Sequence, residues 1–203
     1  MVARIFYGGT FDPPHIGHEA LLDALHQAAP QAVISVVPAA IPVHKAAASA
    51  SVEQRLAMLA ILQSSRPWLQ IDDREVKAKQ ACYTVDTLQQ LRTQYECDSL
   101  NFVMGGDSFA NLHTWGRWQQ LLELANILVV PRPGWHWPTN LPQSSLPQCT
   151  LASALAQPNG SVVNLPWSMP DVASSQFRNQ RAWHWVSDAI GQYIKANELY
   201  LND

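Results

Sequence analysis

A handful of short, almost wholly apolar runs constrain this chain more than any other feature of it. Val33–Val37, Leu100–Met104 and Ile127–Val130 are too short to be helices and are rich in Val, Ile and Leu. A strand with one wet face alternates apolar and polar residues, whereas a run apolar throughout is covered on both faces. Val2–Tyr7 is a further β-type run, expected to stop at Gly8-Gly9, and Leu69–Asp73 is a weaker one with edge character. Helical spacings stand between these runs. Gly17–Ala28 places Ala20, Leu21, Ala24, Leu25 and Ala28 on one stripe, Thr84–Gln94 is spaced on Val85, Leu88 and Leu91, and Trp118–Ala125 forms another segment. Ser51 opens a further helix with Gln54 three residues on as its capping-box partner. Strands alternating with helices in this way predict a doubly wound, Rossmann-like α/β fold, a parallel sheet with helices on both faces.

With 203 residues the chain can bury a sizeable core, and residues 1–203 are read as a single domain. From Pro133 to Pro170 there are seven prolines and no Asp, Glu, Lys or Arg. That stretch is expected to be an ordered excursion of the same domain, with one or two helical turns at Leu151–Ala156 and a strand at Ser161–Leu165. Residues 171–203 form a C-terminal helical subregion, periodic at Val186, Ile190 and Ile194 and ending near Asn197. The formal net charge of −3 argues against a nonspecific nucleic-acid partner, which would need a basic surface. No apolar stretch is long enough for a membrane span, and the N-terminal apolar run is too short for a signal peptide. Cys82, Cys97 and Cys149 are odd in number and scattered, which fits neither a disulfide framework nor a zinc ribbon and suits a reducing cytoplasm. The sequence leaves a homo-oligomer open.

The segment Gly8-Gly9-Thr10-Phe11-Asp12-Pro13-Pro14-His15-Ile16-Gly17-His18 carries the chemistry. It joins the first strand to the first helix, and open α/β sheets bind ligands beyond the carboxyl ends of their strands. The glycines would admit a phosphate close to the backbone, and the helix N-terminus offers N–H donors and a favourable dipole. Neither G-x-G-x-x-G nor G-x-x-x-x-G-K-[ST] is present, so hydride transfer and P-loop hydrolysis are not supported. His15 and His18, three apart at a helix start, can face one spot and stabilise charge on phosphoryl oxygens. A capping pair and a metal pair are the alternatives. A metal pair needs a third ligand, and no H-E-x-x-H or cysteine cluster supplies one, so no protein metal site is assigned.

The segment resembles the HxGH signature of the nucleotidyltransferase superfamily, in the G-G-T-F-D-P form of bacterial nicotinate-nucleotide adenylyltransferases. Further matches follow in order. Pro42-Val43-His44-Lys45 resembles P-P-H-[KR], Tyr83-Thr84 resembles S-Y-T, and Gly105-Gly106-Asp107-Ser108 resembles G-x-D-[SA]. Thr114-Trp115 resembles a T-W pair, Arg132-Pro133-Gly134 resembles R-P-G, and Val172–Arg178 resembles I-S-[SA]-T-x-I-R. The similarity spans nearly the whole chain and is weakest over Pro138–Gly160.

The resemblance implies transfer of AMP from ATP to nicotinate mononucleotide, giving deamido-NAD and pyrophosphate, by direct in-line attack of the mononucleotide phosphate. No protein nucleophile is needed, and Mg²⁺ would be bound mainly through ATP phosphates and water. By the same resemblance, Gly8, Gly9, Thr10 and Phe11 would cradle phosphates, with His15 and His18 at the α-phosphate. Lys45, Ser174, Ser175 and Arg178 would bind phosphate oxygens, with Lys45 also on the acceptor side. Arg178 is expected in about the first turn of its helix, where the dipole disfavours a cation unless an anion is near. The two serines could also serve as N-caps. Gly105 and Asp107 would meet a ribose, Arg132 would lie near the nucleotide, and Thr84 and Trp115 would read the carboxylate and stack on the pyridine ring. Nicotinamide mononucleotide, another phosphorylated acceptor, or a nonenzymatic nucleotide-binding role are the alternatives. The remaining tryptophans, and His26, His113, His136 and His184, are read as structural. Among departures from the family pattern, Phe177 stands for Ile and the segment Asn179–Ser187 is short, which bear on C-terminal packing more than on chemistry.

Overall fold

A computed structural model of the chain describes residues 1–40, 48–78, 80–167 and 169–200. The elements follow the apolar pattern. β1 (Ala3–Gly9) leads into α1 (Ile16–Ala28), then β2 (Val33–Pro38), α2 (Val52–Ser64) and β3 (Leu69–Ile71). A short α3 (Arg74–Ala78), α4 (Thr84–Gln94), β4 (Ser99–Gly105) and α5 (Gly106–Ala110) come next. After two 3-10 turns the chain forms α6 (Leu121–Leu124) and β5 (Asn126–Val130). It ends with α7 (Leu151–Leu155), β6 (Val162–Asn164), α8 (Ser174–Gln180) and α9 (Asp188–Ala196).

The six strands form one sheet in the order β3-β2-β1-β4-β5-β6, every neighbouring pair parallel. Strand order reverses between β1 and β4, and the crevice beyond their carboxyl ends is where such sheets bind ligands. Alternate residues of each strand feed opposite cores. Ile5, Ile34, Val36, Val103, Leu128 and Val163 pack with α1, α2, α8 and α9. Phe6, Val37, Phe102, Met104, Ile127 and Val129 pack with α4, α5 and α6. With both faces covered, the strands have no reason to alternate in sequence, which accounts for the apolar runs.

Several boundaries differ from the sequence reading. β1 does not stop at the glycines: Gly8 and Gly9 stay in register with Val37 and Pro38. Trp118–Ala125 is not one helix. It is a 3-10 turn, Trp118–Gln120, followed by the single α turn of α6, and of these residues up to Leu124 only Leu121 is fully buried. Helices draw most of their stability from packing, and here Trp118, Leu122 and Leu124 are only partly buried against the core. Val186 lies before α9 rather than within it, although it is buried. The capping box at Ser51 forms as read, with Gln54 N–H donating to Ser51 Oγ and Ser51 N–H to Gln54 Oε1.

The charge-free stretch supplies α7 and the edge strand β6. It is bolted back by buried polar groups: Asn126 Nδ2 donates to the Ala154 carbonyl at 2.9 Å and Asn126 Oδ1 accepts the Ser161 N–H at 3.1 Å. Fully buried Gln143 donates to the Phe109 and Ala110 carbonyls at 2.8 Å each, holding the end of α5. Among the described residues no helix is long and apolar enough to cross a membrane.

Candidate active site

The turn between β1 and α1 is built from inside outward. Phe11 is 2% exposed with φ of 52°, a left-handed backbone that costs a non-glycine residue free energy. Its ring is locked edge-on to Tyr7 at 5.6 Å and tilted against His18 at 5.0 Å. The glycines before it are needed for packing: a Cβ on Gly8 would lie 3.1 Å from the Phe102 ring, and one on Gly9 would lie 3.0 Å from the Phe11 ring. Neither has a positive φ, so close approach of the protein's own rings, rather than turn geometry, explains both.

His15 is the N-cap residue of α1 and His18 sits in its first turn. Their rings stack at 3.7 Å between centroids, 27° apart, so the two imidazoles do share one spot. His18 Nδ1 accepts the His15 backbone N–H at 3.1 Å, which orients the His18 ring. The capping role and the clustered imidazoles therefore coexist. Gly17 is tight for the same reason, because a Cβ there would meet Val172 at 3.0 Å and the His15 ring at 3.1 Å.

Helix α8 is anchored to this turn. Ser174 Oγ donates to the Pro13 carbonyl at 2.9 Å and Arg178 Nη1 donates to the Asp12 carbonyl at 2.6 Å. Two expectations need correction here. Ala173, not a serine, is the N-cap residue, and Ser174 spends its hydroxyl on the neighbouring turn. Arg178 is the fifth of seven residues and lies in the last turn of α8, where the helix dipole favours a cation. Its placement is set by Asp12 and not by a penalty that an anion must relieve.

Asp12, which the sequence reading passed over, is the hub of the turn. It is 2% exposed, Oδ2 accepts the Ser49 N–H at 2.8 Å, and Oδ1 accepts the Ala50 N–H at 3.0 Å. Arg178 Nη1 stands 3.4 Å from Oδ2. Arg55 was missed too. Its guanidinium is buried and donates to the carbonyls of Thr10 at 2.8 Å, Ala39 at 2.7 Å and Ala40 at 3.1 Å, tying the loops after β1 and β2 together. Burial lowers its pKa, and the nearby Asp12 charge opposes that shift. An arginine in an amphipathic helix reads as a solvated face, so only burial reveals its role.

The second half of the crevice lies beyond β4 and β5. Gly105 is the N-cap of α5, and Asp107 in its first turn is an exposed carboxylate 3.4 Å from Arg132 Nε at the end of β5. A Cβ on Gly106 would fall 2.6 Å from the Trp135 indole, so that ring lies directly on the glycine backbone. Thr84 is the first residue of α4, and half-buried Trp115 ends a 3-10 turn and packs on the α4–α6 core. Arg117 joins their elements: its Nη2 reaches both Asp86 oxygens at 2.8 and 2.9 Å. Burial pushes the Tyr7 hydroxyl well above its ordinary pKa, partly offset by the Arg132 charge. Lys45 lies outside the described residues.

Known proteins resemble this chain in sequence and in fold. The family model described as cytidylyltransferase-like matches residues 6–180. The chain is 38% identical to a Cellvibrio japonicus protein named "Probable nicotinate-nucleotide adenylyltransferase", over 96% of each chain. It is 37% identical to a Xylella fastidiosa protein of the same name, over 97% of this chain and 96% of that one. The solved Plasmodium falciparum nicotinic acid mononucleotide adenylyltransferase complexed with NaAD superposes with a TM-score of 0.76. It covers 100% of this chain and 99% of its own at 17% identity, a likeness of fold.

Proposed function

Because the chain belongs to the cytidylyltransferase-like family, within its nicotinate-nucleotide adenylyltransferases, we propose that it moves AMP from ATP to nicotinate mononucleotide. The products are deamido-NAD and pyrophosphate, so the reaction is a step of NAD biosynthesis. The observation that carries the reading is the stacked His15–His18 pair at the start of α1, braced by Ser174 and Arg178 from α8, where strand order reverses. A phosphate oxygen of the mononucleotide attacks the ATP α-phosphorus in line. The new P–O bond forms as the bond to pyrophosphate breaks, and pyrophosphate carries away the electron pair. The protein's task is to align the two phosphates and stabilise the shifting charge.

In this reading His15 and His18 donate to α-phosphoryl oxygens, and the Gly8–Phe11 backbone with Thr10 lines the phosphate path. Arg178, whose Nη1 is engaged by Asp12, meets the polyphosphate with its other guanidinium edge, beside Ser174 and Ser175. Lys45 adds a further cation to the phosphates. Gly105 and Asp107 take a ribose and Arg132 flanks the nucleotide, its pairing with Asp107 serving as an exchangeable contact. Trp115 stacks on the pyridine ring and Thr84, with the N–H groups opening α4, reads the carboxylate.

The described residues hold no cluster of three or more His, Cys, Asp or Glu fit for a metal ion, and the site's side chains are mainly donors. That donor set suits Mg²⁺ carried on ATP phosphates and water, where it would neutralise phosphate charge. A reducing cytoplasm suits the three free cysteines. The test is pyrophosphate release with ATP and Mg²⁺ and each of nicotinate mononucleotide, nicotinamide mononucleotide and phosphopantetheine at matched concentrations. Strong preference for the first is expected. Preference for another acceptor would keep the phosphate chemistry and overturn the roles of Thr84 and Trp115, while silence with all three would refute the enzyme.

A further inference from the structure

Asp12 has one more partner, and it comes from the far end of the chain. The Tyr200 hydroxyl donates to Asp12 Oδ1 at 2.8 Å across a sequence separation of 188 residues. Tyr200 is 7% exposed, its ring stands edge-on to Phe177 at 6.0 Å, and its φ of 60° lies in the left-handed region. A tyrosine adopts that backbone only where its surroundings hold it there. We propose that Tyr200 is a positioning residue for adenylyl transfer, acting through Asp12 on Arg178 and on the turn that carries His15 and His18. The proposal rests on the adenylyl-transfer reading above.

Several groups compete for the buried Asp12 carboxylate. Two backbone N–H groups and the phenol occupy Asp12, and its distance to Arg178 Nη1 is 3.4 Å, longer than a close ion pair. Burial, reinforced by the Asp12 charge, drives the phenol pKa far up, so the hydroxyl remains a donor at every working pH. Remove that donor and, among the described residues, Oδ1 keeps the Ala50 N–H alone. The carboxylate then turns toward the nearest cation, and a tighter Asp12–Arg178 pair draws the guanidinium off the polyphosphate. Neighbouring groups reinforce the geometry: Ser174 on Pro13 and Arg55 on Thr10 fix the same turn from two other sides.

Tyr200→Phe deletes one oxygen and keeps the ring against Phe177, and Asp12→Asn weakens the same contact from its other side without changing volume. For Tyr200→Phe, kcat/KM for ATP should fall about tenfold, the factor that one hydrogen bond to a charged group commonly carries. KM for the mononucleotide should stay near the parent value. Asp12→Asn removes the charge that would draw Arg178 inward, so adding Tyr200→Phe to it should cost no further ATP-side loss. Parent-like kcat and KM for ATP in Tyr200→Phe, even with a lowered unfolding midpoint, would reduce Tyr200 to packing. Additive losses would also overturn the route through Asp12. Should the parent release no pyrophosphate with any acceptor, the functional reading fails by itself. Calorimetric ATP affinity then decides on Tyr200: weakened binding in Tyr200→Phe sustains its hold on Arg178, and unchanged binding removes it.

Discussion

The two halves of the crevice are built by opposite means. At the β1–α1 turn, Asp12 and His15 are almost fully buried, and α8 and the C-terminal segment converge on Asp12 and Pro13 with side-chain hydrogen bonds. At the rim beyond β4 and β5, Asp107, Arg132, Asp86 and Arg117 pair in the open, with 43–66% of each side chain exposed. Buried groups held by several hydrogen bonds, as Asp12 is, keep their geometry before substrate arrives, while exposed ion pairs are worth about 0–1 kcal/mol and re-form freely. The difference suits the division of labour proposed above. In that proposal a preorganised phosphate half would stabilise charge as it moves, and a looser rim would admit two nucleotides and let a dinucleotide leave.

That contrast can be tested directly. His18→Ala should have the largest effect, lowering kcat on the order of 10²-fold or more in steady-state pyrophosphate release, with ATP binding changed far less. Retained turnover would remove His18 from its proposed role. Trp115→Ala should raise KM for the mononucleotide on the order of tenfold, the value of an aromatic contact, and leave KM for ATP close to the parent. Equal losses for both substrates would make Trp115 a packing residue of the α4–α6 core. Arg117→Ala should cost the least, about 1 kcal/mol or less in a denaturant melt, with its effect shrinking as salt is raised. A salt-independent loss as large as that of His18→Ala would break the contrast, because the rim would then be as rigidly built as the turn.

Much of this architecture was legible before any coordinates. The apolar runs at Val33, Leu100 and Ile127 became central strands because burial on both faces leaves its mark on every residue of a strand. The Ser51 capping box was readable because it is a local hydrogen-bond pattern four residues long. The His15–His18 spacing was readable because a helix brings residues three apart onto one face. The site beyond the rim was harder. Trp135 on Gly106 and Arg117 on Asp86 join segments 29 and 31 residues apart, and no periodicity announces such contacts. Phe177, a departure from the family pattern, turned out to be 1% exposed and wedged edge-on between Trp183 and Tyr200. The larger ring is absorbed into the C-terminal packing.

Local chemistry in the chain thus determined which segments are strands, which are helices, and which turn carries the paired imidazoles. These properties depend on neighbours within a few residues, and hydrophobic periodicity and capping record them one segment at a time. Only the tertiary structure decided that Asp12 is a hub, that Arg55 is a buried clamp, that Arg178 ends its helix facing Asp12, and that Tyr200 reaches the same carboxylate. The physical reason is that a buried polar group must find its partners wherever folding brings them, and for Asp12 they lie 37, 38, 166 and 188 residues away.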